Sequence, residues 1–139
     1  MLVHSIKKIL EGGQALVKCL ENEGVEYIFG HSGGAAIPIF DALITTETNI
    51  EFVLVRHEQG AVLAAIGYAR ITQKVGVCIA TSGPGATNLM TGLADAMLDC
   101  VPLLCITGQV NSSLIGSDAF QEADIISMST PVTKWNSLV

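Results

Sequence analysis

Charge is scarce in this sequence: 14% of its 139 residues are Asp, Glu, Lys or Arg, against about a quarter in an average soluble domain. So few charges cannot clothe a fully wetted surface, which predicts that a large face is covered by other protein. Long apolar runs are missing too. The longest, near Val77–Thr81 and Val101–Thr107, have strand length, short of the roughly 20 residues that span a bilayer. Basic residues are few, 7 Lys and Arg against 13 Asp and Glu, for a net charge of −6 and a pI near 4.8. Without a basic stripe the chain is no candidate for nucleic acid, whose binding rests on Lys and Arg meeting phosphates. No C-x-x-C pair occurs among Cys19, Cys78, Cys100 and Cys105; their apolar surroundings predict buried free thiols in a reducing compartment. His4, His31 and His57 lack ligand spacing, which argues against a protein metal site. Met1–Leu10 lacks the apolar stretch and cleavage site of a signal peptide, so the cytoplasm is the expected compartment.

What is present is apolar and periodic. Half of the residues are hydrophobic, and this length makes one domain that buries roughly two thirds of its unfolded surface. After a lead-in over residues 1–11, Leu16, Cys19 and Leu20 fall at helical spacing, and Gly24 is placed as the stop. Val25–Gly30 reads as a strand, His31-Ser32-Gly33-Gly34 as a glycine turn, and 35–43 as a helix. Thr45–Asn49 is a polar loop. Ile50–Val55 reads as a strand buried on both faces, and the helix after it, rich in Ala and Gly, as one buried all round. A strand follows at Val75–Ala80, then the turn Thr81-Ser82-Gly83-Pro84-Gly85, and a helix carrying Ala86, Leu89, Met90, Leu93, Ala94, Met97 and Leu98 that ends by Cys100. Pro102–Thr107 gives a fourth strand, Gly108–Ser117 a loop, Ala119–Met128 a short helix and Val132–Val139 a last strand. Strand, turn and helix repeated in this way predict an α/β fold: a doubly wound parallel sheet with helices on both faces. The apolar finish at Leu138-Val139 suggests a chain cut at a domain boundary.

In such sheets ligands gather beyond the carboxyl ends of the strands, and Glu58 sits there. A carboxylate at the start of a helix has a plain role, complementing the helix dipole. Its sharper role is a carboxyl group held in an apolar, water-poor site and handling protons. Gly83-Pro84-Gly85 does not complete G-x-G-x-x-G, since Asn88 holds the third glycine's place, and no acidic ribose partner follows. At the least, both glycine turns let the backbone reverse tightly. On their own, Asn88 reads equally as a capping amide and Gln121 as a surface residue.

Three stretches taken together resolve more: Arg56-His57-Glu58-Gln59-Gly60-Ala61, Ala80-Thr81-Ser82-Gly83-Pro84-Gly85-Ala86-Thr87-Asn88, and Ile106-Thr107-Gly108-Gln109-Val110. From about Gly12 to Val139 the chain resembles the pyrimidine-binding domain of thiamine-diphosphate enzymes, and among them the catalytic large subunits of acetolactate (acetohydroxyacid) synthases. The resemblance implies that Glu58 hydrogen-bonds the cofactor's pyrimidine ring and favours the imino tautomer that activates the thiazolium carbon toward pyruvate. It further implies cofactor contacts at Gly33, Gly34, Thr81, Pro84, Asn88 and Gln121, and a substrate channel at Phe120 and Gln121. The product chemistry would join pyruvate to a second 2-keto acid, in branched-chain amino-acid biosynthesis. Two features depart from the pattern: His31-Ser32 replaces Tyr-Pro before the glycine pair, and Asn111 replaces a proline. The Gly-Asp-Gly to Asn-Asn segment that binds diphosphate and Mg2+ is absent, as is the FAD-binding middle domain. The expected partners are therefore a second copy or a full-length catalytic subunit that completes the site, with a regulatory small subunit as a further one. The alternatives are a non-catalytic remnant or binding module of the same fold, or part of another thiamine-diphosphate enzyme such as sulfoacetaldehyde acetyltransferase or pyruvate oxidase.

Overall fold

A computed structural model describes residues 9–139; most of the lead-in expected over 1–11 lies outside the described residues. Helix α1 (Gly12–Asn22) stops at Gly24 because the chain turns left-handed there, at φ +75. The Gly24 N–H reaches the Glu21 carbonyl and the Val25 N–H the Leu20 carbonyl, the paired bonds that close a helix on a glycine. Strand β1 (Tyr27–Gly30) follows, then a single 3-10 turn at Gly34–Ala36 and helix α2 (Ile37–Thr45), with Pro38 in its first turn. Next come β2 (Glu51–Leu54), α3 (Glu58–Thr72), β3 (Gly76–Ala80), a one-turn helix α4 (Pro84–Thr87), α5 (Met90–Leu98) and β4 (Leu103–Thr107). A 3-10 turn at Ser112–Leu114, helix α6 (Ile125–Ser129) and a final 3-10 turn at Thr130–Val132 end the described elements.

The four strands form one parallel sheet in the order β2-β1-β3-β4. β3 separates the two cores. Val77 and Ile79 point to one face, where they pack with Leu20, Ile28 and Ala36 from the α1 and α2 side. Cys78 and Ala80 point to the other, against Ala61, Val62, Ala65 and Ile66 of α3 and Leu93 and Ala96 of α5. Both faces are thus covered, as a doubly wound sheet requires, and each fully buried Val, Leu or Ile contributes about 1.5–3 kcal/mol. Helices α3 and α5 lie so close that a Cβ on Gly92 would come within 2.4 Å of the Val62 side chain. The chain leaves β1 toward one edge and β3 toward the other, so the carboxyl ends of these two neighbours diverge and open a crevice.

Several sequence expectations need correction. β2 is an edge strand with Leu54 66% exposed; the strand buried along its whole length is β3. An apolar run identifies a strand but not its place in the sheet. Helix α3 buries one face only, since Leu63 and Ile71 are exposed. The helix expected from Pro84 to Cys100 is broken at Asn88-Leu89, where the Leu89 N–H takes the carbonyl of Ala86, three residues back, and tightens the turn. Helix α6 is shorter than the expected 119–128, and no strand forms over 132–139. Of the four free cysteines only Cys78 is buried, while Cys19 and Cys100 are exposed. Cys78 hydrogen-bonds Cys105 on β4, and that contact together with burial holds its thiol well above the usual range. Among the described residues no helix is long and apolar enough to cross a membrane.

Candidate functional site

The crevice beyond β1 and β3 is built from two turns and the start of α3. His57 is spent on local structure: its Nδ1 accepts the Gln59 N–H at 3.1 Å and caps α3. Glu58, the first residue of α3, then turns inward and is only 9% exposed. The helix N-terminus favours negative charge at that position. Its Oε2 accepts a hydrogen bond from Asn88 Nδ2 at 3.0 Å. The break between α4 and α5 puts Asn88 on the tightened turn from which this bond is made. Oε1 accepts no hydrogen bond from the described residues and lies over Gly85, where a Cβ would come within 3.2 Å of it.

Thr81, at the end of β3, completes the floor. Its Oγ1 is buried with no partner among the described residues, a condition that costs about 1–3 kcal/mol when nothing fills it. A Cβ on Gly33 would sit 2.6 Å from that oxygen, and a Cβ on Gly85 2.7 Å from Thr81 Cγ2. The two glycine turns therefore press on one threonine from both sides, and neither tolerates a side chain there. His31 braces the first turn: its Nδ1 lies 2.8 Å from the Val55 carbonyl, and because a carbonyl only accepts, that nitrogen carries the proton.

The structure brings Gly33, Thr81, Glu58 and Asn88 together. Pro84, at the first position of α4, is exposed on the rim. Gly34 has no neighbour that a Cβ would meet. Gln121 touches the second turn through its backbone: a Cβ on Gly83 would lie 2.3 Å from the Gln121 carbonyl oxygen. Phe120, beside it, is 86% exposed. Gly85 and Gly83 were not singled out from sequence as site residues, although the Gly-Pro-Gly turn that contains them was the available signal. Among the described residues no three His, Cys, Asp or Glu side chains gather as a metal site. Among the described residues one carboxylate oxygen and one hydroxyl are left without partners beside backbone bare of side chains, a setting that suits a flat ring able to share hydrogen bonds with both.

The family model for the N-terminal TPP binding domain of thiamine pyrophosphate enzymes matches residues 10–128. The chain belongs to this family. It is 56% identical over 130 residues to the acetolactate synthase isozyme 2 large subunit of Escherichia coli K12, covering 94% of this chain and 23% of that protein. To the acetolactate synthase large subunit of Corynebacterium glutamicum it is 57% identical, again over 94% of this chain, with 21% of the relative covered. An acetolactate synthase of Arthrospira platensis is 56% identical over 134 residues, 95% of this chain and 23% of its own. The chain thus spans about a fifth to a quarter of the length of these curated relatives.

Proposed function

We propose that this domain holds the pyrimidine half of thiamine diphosphate in an acetolactate-synthase-type enzyme, with Glu58 as the catalytic carboxyl. The observation that carries the reading is the buried Glu58 side chain with one oxygen tied to Asn88 and the other, above Gly85, without a partner among the described residues. The residues fit the group: a protonated Glu58 would donate from Oε1 to a ring nitrogen and take the hydrogen back, and the Thr81 hydroxyl has unused hydrogen-bonding capacity among the described residues. Gly33 and Gly85 keep the backbone bare so that a ring can approach, Asn88 orients the carboxyl, and Gly34, Pro84 and Gln121 rim the crevice. When bound, thiamine diphosphate would supply the carbon nucleophile and electron sink by which pyruvate can lose CO2 and its remaining two-carbon unit pass to a second 2-keto acid. The chain's own share is narrower. It binds and orients the ring, excludes water from one face, and holds or returns a proton at Glu58 Oε1.

Phe120 and Gln121 would line the substrate's approach. The diphosphate, Mg2+ and FAD would be held by domains of the kind that the relatives' greater length accommodates. A second copy or a full-length catalytic subunit would supply them, with a regulatory small subunit as a further partner, in the cytoplasm. The decisive experiment uses this protein reconstituted with a diphosphate-binding partner, wild type against Glu58→Gln, measuring thiamine diphosphate affinity and acetolactate formation. The expected loss of rate is roughly 10²- to 10⁴-fold, the span of a proton-handling group. A variant within threefold of wild type would remove Glu58 from the chemistry. Binding with no turnover in any reconstitution would make the domain a non-catalytic module.

A further inference from the structure

Two left-handed non-glycine residues need no special account: Gln73 and Cys100 close the ends of α3 and α5. The other two, Asp118 at φ 56 and Gln121 at φ 59, lie three residues apart in one loop, with Gly116 at φ +86 just before them. Backbone of this kind persists only where its surroundings over-determine it, and it gathers at functional sites. Here the loop is tied at three levels. At its base, Gln109 Nε2 donates to the Ala123 carbonyl at 3.2 Å, drawing the departing and returning chain together. Midway, the Glu122 carboxylate takes the Gly116 N–H on Oε1 and the Ala119 N–H on Oε2, the latter at 2.9 Å. At the crevice, the Gln121 carbonyl lies against Gly83. These backbone bonds hold the Glu122 carboxyl below the usual carboxylate range.

We propose that Glu122 is a positioning residue: its carboxylate gathers the loop over residues 109–123 and so seats Gln121 on the Gly83-Pro84-Gly85 turn, with Phe120 presented beside the crevice. That Phe120 and Gln121 face a 2-keto acid rests on the function proposed above; that Glu122 holds them does not. A loop ordered before ligand arrives spares binding the entropy of ordering it. The turn that Gln121 braces also carries Gly85, on which Glu58 Oε1 rests, so one half-buried glutamate governs both the substrate rim and the floor of the site.

The test is amide hydrogen exchange on the cofactor-free protein, wild type against Glu122→Gln. The variant keeps one acceptor oxygen and turns an amino group toward the other donor. Exchange at Gly116 and Ala119 is expected to quicken roughly tenfold, the scale of one net hydrogen bond. The Thr87 amide, which bonds the Gly83 carbonyl, should quicken as well, with the melting temperature little changed. Acceleration confined to Gly116 and Ala119 would make Glu122 a local staple and overturn the proposal, as would no acceleration anywhere. Should the variant fail to fold, wild-type protein taken to acid must loosen Gly116, Ala119 and Thr87 in one step, with Asp118, Asp124 and Glu58 as the other carboxyls nearby; separate steps overturn it. Failure of the functional reading would instead show as unchanged thiamine diphosphate binding in Glu58→Gln, leaving the exchange result intact.

Discussion

The two turns that flank the crevice use the same device and end in different states. After β3, Thr81, Ser82 and Gly83 are buried, and Gly83 and Gly85 are hemmed in by the Gln121 carbonyl, the Thr81 side chain and the Glu58 carboxyl. After β1, Ser32 and Gly34 are exposed, and only Gly33 meets a neighbour, again Thr81. One turn is a packed hub and the other an open rim held at its edge. Glycine in the first is demanded by contact; at Gly34 it is demanded by nothing among the described residues, which leaves that side of the crevice to whatever enters it.

Three measurements break or sharpen the contrast. The largest effect belongs to Gly83→Ala, which must place a methyl 2.3 Å from the Gln121 carbonyl at a left-handed φ of +52. It should destabilise the protein by about 2–4 kcal/mol, overpacking and backbone strain together, read from the denaturant midpoint; a loss under about 1 kcal/mol would show that the hub yields easily. An intermediate effect is expected from acid. Because its bonds to Gly116 and Ala119 depress the folded-state value of Glu122, the order they contribute is present above the unfolded glutamate value. It is lost as pH falls through the folded one. The Gly116 and Ala119 amide resonances should therefore shift with a midpoint below that of an ordinary glutamate, and a midpoint at or above it would disconnect the loop from the hub. The smallest effect is Gly34→Ala, expected within about ±0.5 kcal/mol in the free protein. A larger destabilisation would mean that the rim is as constrained as the hub.

Much of this was written in the sequence. The glycine turns at 33–34 and 83–85, the strands that feed them and the carboxyl at 58 are local signals, each set by a few adjacent residues. The sheet order was not legible, because Ile50–Val55 and Val75–Ala80 are equally apolar, and only the packing of α3 and α5 decides that β3 lies inside and β2 at the edge. The kink at Asn88-Leu89 was hidden by apolar spacing that runs on smoothly from Leu89 to Leu98. The grip of Glu122 on Gly116 and Ala119 was invisible as well, since nothing in Phe120-Gln121-Glu122 says which carboxylate folds back. Exposure of Cys19 and Cys100 shows the limit of judging burial from neighbours in sequence: Cys19 lies within α1 directly before buried Leu20, and Cys100 just past the end of α5.

The missing side chain at Gly92 has a mechanical result. With the Val62 methyls seated in the notch it leaves, α5 cannot slide along α3 without collision. Glu58 begins one of these rods and Asn88 lies two residues before the other, so the span of their hydrogen bond is gauged by a key in a slot a full turn away.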